Sequence, residues 1–157
     1  MNKINLERYS GGKTALAVFF AFAFMMALTV KTTPASSAEV IVYKSPTCGC
    51  CKGWVAHMKK NGHSVKVQDL EDLDQIKKMA GVPEMFQSCH TAMIDGYVVE
   101  GHIPANDVAR LLKERPKVRG IAVPGMPQGS PGMGGTPERY DVVQFQIDGS
   151  SSVFAKH

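Results

Sequence analysis

The chain has 157 residues, 44% of them hydrophobic and 20% charged, with a formal net charge of +4. That length suits one modest globular domain and excludes two large domains or a barrel enzyme, and the chain is too apolar to be mostly disordered. Its basicity would suggest nucleic acid or a membrane surface if the charge were spread along the chain.

The charge is concentrated at the start. Residues 1–14 carry Lys3, Arg8 and Lys13 against Glu7, and Ala15 to Val30 is a run of sixteen uncharged, almost wholly apolar residues that Lys31 ends. A spanning helix needs about 20 apolar residues. A basic start, a shorter apolar stretch and the small residues Ser36-Ser37-Ala38 read instead as a secretory signal peptide over 1–38, cut after Ala38; an uncleaved anchor is the competing reading. Residues 39–157 then form a single domain with 14 basic and 13 acidic residues, a net charge of +1. Nucleic-acid binding loses its support, and no membrane contact is expected after signal cleavage. All four cysteines lie beyond the cut, in a protein bound for an oxidising compartment.

Glu39–Tyr43 is a β-branched run that reads as a strand. Ser45-Pro46-Thr47 breaks it, and Thr47 stands where it would cap a helix beginning at Cys48. Cys51, Trp54, Val55 and Met58 recur at helical spacing as one buried stripe, and Asn61-Gly62 ends the helix. Val65–Asp69 alternates as a second strand, and Leu73–Met79 is a short helix closed by Gly81-Val82-Pro83. Thr91–Ile94 and Tyr97–Glu100 flank Asp95-Gly96, the strongest hairpin signal in the chain. A helix follows over about Asn106–Lys113, with Val108, Leu111 and Leu112 as its apolar face. The order is β-α-β-α-β-β-α, with the first two strands parallel and the Asp-Gly pair antiparallel. Residues 121–137 form a Pro/Gly/Met loop with Pro-Gly-Met at 124–126 and again at 131–133, and loops of such length are often functional. Residues 140–157 read as an added hairpin. The fold class is α/β with a mixed sheet, thioredoxin-like with a C-terminal hairpin.

Cys48-Gly49-Cys50-Cys51 carries the most chemistry. A Cys-x-x-Cys that follows a strand and opens a helix is the thioredoxin arrangement, and the free N–H groups and dipole of a helix start favour thiolates. Cys50 is anomalous there. At about 100° per residue it faces away from both Cys48 and Cys51 unless the first turn is irregular. In a thioredoxin-like fold the loop before the third strand faces this helix and usually presents a cis-proline. Here that loop is Ser88-Cys89-His90-Thr91, so Cys89 and His90 are expected to approach Cys48 and Cys51. Thiolate, imidazole and thioether together suit Cu(I), whereas zinc usually takes paired Cys or His spacings that this chain lacks.

Tyr43–Cys51 with Trp54, Cys89-His90-Thr91-Ala92, Gly101-His102-Ile103-Pro104 and Pro124–Met133 together resemble the DUF411 family of metal-binding proteins, over nearly all of residues 40–135. The resemblance implies a thioredoxin-like fold, export to the periplasm, a role in copper resistance alongside other periplasmic copper-resistance proteins, and copper bound by the cysteine motif.

The expected metal ligands are Cys48, Cys51 and Cys89, with Cys50 bridging or completing the site and His90, Met126 and Met133 as secondary candidates. Several thiolates at one helix terminus can hold more than one Cu(I). Disulfide pairings of 48–51 with 50–89, or 48–50 with 51–89, or none, all stay open. His102 is equally readable as an orienting hydrogen-bonder. His57 and His63 read as solvated, and Trp54, Met58, Met79 and Met93 as core. A thiol-disulfide oxidoreductase using Cys48 and Cys51 is the rival function.

Overall fold

A computed structural model describes residues 38–157; the expected signal peptide lies outside the described residues, apart from its last residue, Ala38. No helix among them is long and apolar enough to cross a membrane. The elements are β1 (Val40–Lys44), α1 (Gly49–Lys60), β2 (Val65–Asp69), α2 (Asp74–Ala80), a 3-10 turn (Glu84–Phe86), β3 (His90–Ile94), β4 (Tyr97–Glu100), α3 (Ala105–Glu114), β5 (Gly120–Ala122), β6 (Asp141–Phe145) and β7 (Ser151–Lys156). They build a mixed α/β architecture around one seven-stranded sheet, ordered β2-β1-β3-β4-β5-β6-β7. β1 and β2 pair in parallel, and β3 and β4 pair antiparallel around Asp95-Gly96. Both turn residues have positive φ, as a type I′ hairpin turn demands.

Each face of the sheet buries its own core. Val40 and Val42 of β1 and Val99 of β4 meet Trp54, Val55 and Met58 of α1 and Val108 and Leu111 of α3. On the other face Val98, Ala122 and Phe145 meet Ala80 of α2 and Phe86 of the 3-10 turn. Val98 and Val99 fall on opposite faces because strand side chains alternate with period 2.

Two of the expectations for the loop and the core change. The Pro/Gly/Met loop does not start at 121, because Gly120–Ala122 forms β5 and pairs in parallel with Val98–Glu100. Three residues are too few for a periodic signal, and only the neighbouring strand reveals them. Met79 is 65% exposed rather than core, since the short α2 turns Lys77 and Ala80 inward instead. Met85, on the 3-10 turn, is 71% exposed.

The added hairpin is held to the body of the molecule. Arg110 of α3 donates to the Phe154 carbonyl and lies 3.9 Å over the Phe154 ring, while His157 Nε2 sits 2.6 Å from Asp107 Oδ2. The hairpin thereby anchors the far end of the long loop between β5 and β6.

Candidate metal centre

β1 ends at Lys44, and Ser45-Pro46-Thr47 turns the chain so that the Cys48 N–H donates to the Ser45 carbonyl at 3.1 Å. Cys48, not Thr47, caps α1: its φ of −67° and ψ of 101° are extended, and its Sγ accepts from the Cys51 N–H at 3.2 Å. A cap residue lies outside the helical spacing, which removes the anomaly of Cys50. Its Sγ lies 3.5 Å from Cys48 Sγ instead of facing away.

Sheet register supplies the other half of the centre. Lys44 pairs with His90 across β1 and β3, which sets Cys89 beside the turn that carries Cys48. Cys51 Sγ and Cys89 Sγ are 3.6 Å apart. Continuing the β3–β4 register beyond Thr91↔Glu100 puts Gly101 opposite His90, where its N–H donates to the His90 carbonyl, and His102 then reaches Cys89. Cys89 Sγ lies 2.8 Å from His102 Nε2 and 3.2 Å from His90 Nδ1.

Two donor groups therefore share Cys89: Cys48, Cys50, Cys51 and Cys89, and Cys89, His90 and His102, with ligand atoms within 4.8 Å of one another in each. Cys48 and Cys51 form a disulfide, whereas Cys50 and Cys89 are free thiols, so neither of the two double pairings is present. Cys51 is fully buried; Cys48, Cys50 and Cys89 are half-buried.

The imidazoles are held neutral. Burial above all, then His102 and Lys77, drives His90 well below the usual histidine value, and burial lowers His102. His102 Nδ1 faces the Pro131 carbonyl at 2.7 Å, so Nδ1 carries the proton and the Nε2 lone pair points at the cluster. Among the described residues His90 Nε2 is buried without a hydrogen-bond partner, and the His90 and Trp54 ring centroids lie 4.5 Å apart. Burial, with Cys50 next, pushes the Cys89 thiol up to about 12.

The long loop is part of this architecture and not a slack linker. Gly132 lies against the first turn of α1: a Cβ there would sit 2.5 Å from the Trp54 nitrogen and 2.6 Å from the Cys50 oxygen. A Cβ on Gly53 would meet Gly132 Cα at 2.9 Å, so the contact needs both glycines. Met133 follows Gly132 and is half-buried, whereas Met126 is 54% exposed. Ser88, next to Cys89, donates through its hydroxyl to the Gly125 carbonyl and so ties the loop to the β3 entrance.

Sequence reasoning missed the polar support beneath the site. Lys77 Nζ bonds Glu100 Oε1 at 2.5 Å and Thr91 Oγ1 at 3.1 Å, and Glu100 also accepts from Thr91 Oγ1 at 2.7 Å and from the Ser88 N–H at 2.8 Å. Lys77 and Glu100 are both buried, and the pair holds the segment leading into Cys89. The two are 23 positions apart, and no local pattern announces such a pair. His57 is not simply solvated: its Nε2 accepts from the Ala105 N–H at 3.0 Å and caps α3, while Trp54 Nε1 donates to the Ile103 carbonyl at 2.8 Å. α1 thus holds the segment just after His102 at two points.

These features define a mixed α/β protein with a sulfur- and imidazole-lined centre at a strand-to-helix junction. The family described as "Protein of unknown function, DUF411" matches residues 86–133. Two solved structures, described as copper resistance protein copG, Form 1 and Form 2, are similar over 76% of this chain. Form 1 is 44% identical with a TM-score of 0.71 and 96% of its chain covered. Form 2 is 43% identical with a TM-score of 0.72 and 98% covered. The chain belongs to the DUF411 family, which these copper resistance proteins share. No curated protein matches it.

Proposed function

We propose that this is an exported copper-handling protein of the periplasm that binds Cu(I) through Cys48, Cys50, Cys51 and Cys89 once the Cys48–Cys51 disulfide is reduced. The observation that carries the reading is the convergence of four sulfurs within 4.8 Å of one another, with the oriented His102 Nε2 2.8 Å from one of them, Cys89. Soft thiolates and neutral imidazoles select Cu(I) over hard cations. His90, whose Nδ1 lies 3.2 Å from Cys89 Sγ and whose buried Nε2 has no partner among the described residues, fits a ligand or an orienting role beside such a metal. Met133 and Met126 are the thioether candidates, Met133 half-buried and next in the chain to Gly132, Met126 toward solvent. The name of the similar copper resistance proteins supports copper as the ion, and shared thiolates suit more than one.

The proposal includes a thioredoxin-like core, supported by the β1-α1-β2-α2-β3-β4-α3 order with β2-β1-β3-β4 adjacent. It includes removal of residues 1–38 as a signal peptide. Coupling to copper redox balances as two one-electron changes at copper against one two-electron change at the disulfide.

The test is copper stoichiometry and affinity on anaerobically reduced protein. Tight Cu(I) binding that is lost in the combined Cys48→Ser, Cys51→Ser, Cys89→Ser variant is expected; unchanged binding in that variant would sink the reading. The disulfide itself favours a second reading, a thiol-disulfide oxidoreductase attacked at the half-buried Cys48 with Cys51 as the buried partner. Disulfide transfer to a protein substrate that needs Cys48 and persists under copper chelation would select it.

A further inference from the structure

The four sulfurs form a chain of contacts: Cys50 at 3.5 Å from Cys48, Cys48 bonded to Cys51, and Cys51 at 3.6 Å from Cys89. Each free thiol thus touches one end of the disulfide. From this arrangement we infer that the disulfide is mobile within the cluster: Cys50 attacks Cys48 and displaces Cys51, so that the oxidised protein exchanges a Cys48–Cys51 bond for a Cys48–Cys50 bond.

The step needs no oxidant or reductant. Cys50 loses its proton to solvent, and its Sγ forms a bond to Cys48 Sγ. The Cys48–Cys51 bond breaks, its electron pair stays on Cys51 Sγ, and Cys51 takes up a proton, leaving one disulfide and two thiols as before. The attacking sulfur is already at van der Waals distance. Because Cys48 is the extended cap residue and not a helical one, its side chain can turn between Cys51, three residues on, and Cys50, two residues on. The displaced Cys51 sulfur faces the Cys89 thiol at 3.6 Å, which can donate to it while it carries charge.

Exchange alters what the oxidised protein presents. With Cys48–Cys51 bonded, the free thiols are Cys50 and Cys89. After exchange they are the buried Cys51 and the half-buried Cys89, with His102 Nε2 2.8 Å from Cys89. A soft donor set then exists without net reduction. The inference goes beyond the copper reading and stands or falls in metal-free protein.

The experiment incubates oxidised, metal-free protein with a chelator in mildly alkaline buffer, quenches it in acid and labels free thiols in denaturant at acidic pH. Fragmentation mass spectrometry then locates the label. Label on Cys51 that grows with incubation, and falls about tenfold or more in Cys50→Ser, is the expected result. Label confined to Cys50 and Cys89 after long incubation overturns the inference. So does label on Cys48, which would mean attack at Cys51 instead of Cys48, or Cys51 label that persists in Cys50→Ser. Cys50 is half-buried and its side chain has no part in the core, and a near-ultraviolet spectrum matching the parent verifies that the serine variant is folded.

Discussion

Nε2 of His102 lies 2.8 Å from the Cys89 sulfur, and Nδ1 of the same ring faces the Pro131 carbonyl at 2.7 Å. One imidazole therefore joins the end of β4, the residue before β3 and the Pro-Gly-Met loop, and the loop carbonyl selects which nitrogen is free to meet a metal.

Replacement of His102 by alanine is expected to weaken Cu(I) binding about 10- to 100-fold, the range typical when an oriented ligand or its support is lost. Competition against a Cu(I)-specific chelator measures it. His102→Gln keeps some of the polar bulk and should recover little of the affinity.

The Gly53–Gly132 contact has no room for a methyl group. Gly53→Ala and Gly132→Ala should each destabilise the fold by about 1–3 kcal/mol through overpacking. Gly132→Ala should be the worse, because its φ of +91° is also unfavourable for alanine. Thermal unfolding gives the stability, and faster proteolysis within 123–140 would show that the loop has left α1.

Glu100 accepts from Lys77, Thr91 and the Ser88 N–H in a fully buried setting. Glu100→Ala strands a buried ammonium and a backbone donor, and is expected to cost about 3–5 kcal/mol. Combining Lys77→Met with Glu100→Leu removes both charges and should cost clearly less than the sum of the single changes. A double-mutant cycle by urea denaturation provides the comparison.

Acid should weaken the metal-free protein. His57, His63, His90 and His102 all lie below the usual 6.5, chiefly through burial. Each depressed value means that the unfolded chain binds a proton before the folded one does. The stability is therefore complete above 6.5 and drains away as pH falls through each folded value. Denaturation midpoints that decline from neutral pH downward, with a shallower decline in His57→Gln, are expected; a flat profile would contradict the burial of these rings.

The single cap position shows why local spacing misplaced Cys50. Helical angles apply only once the chain has entered the helix, and whether Thr47 or Cys48 is the last extended residue depends on the Ser45 carbonyl bonding the Cys48 N–H. Both residue types were readable; the choice between them was not.

Residue pattern alone set the strand and helix order through Glu114, the parallel β1–β2 and antiparallel β3–β4 pairings and the Asp95-Gly96 turn; the approach of Cys89 to the Cys48–Cys51 motif was expected from a thioredoxin-like order, and His90 meets Cys89 and His102 instead of the motif itself. The element order, the strand pairings and the turn follow from periodicity, turn chemistry and chain order, which are local. Long-range packing alone established β5, the two bonds from α1 to the segment after His102, the seating of Gly132 on Gly53, the buried Lys77–Glu100 pair and the pairing state of the four sulfurs. Each of these joins residues that are distant in the chain or equal in local chemistry, and sheet register together with close packing selects among them.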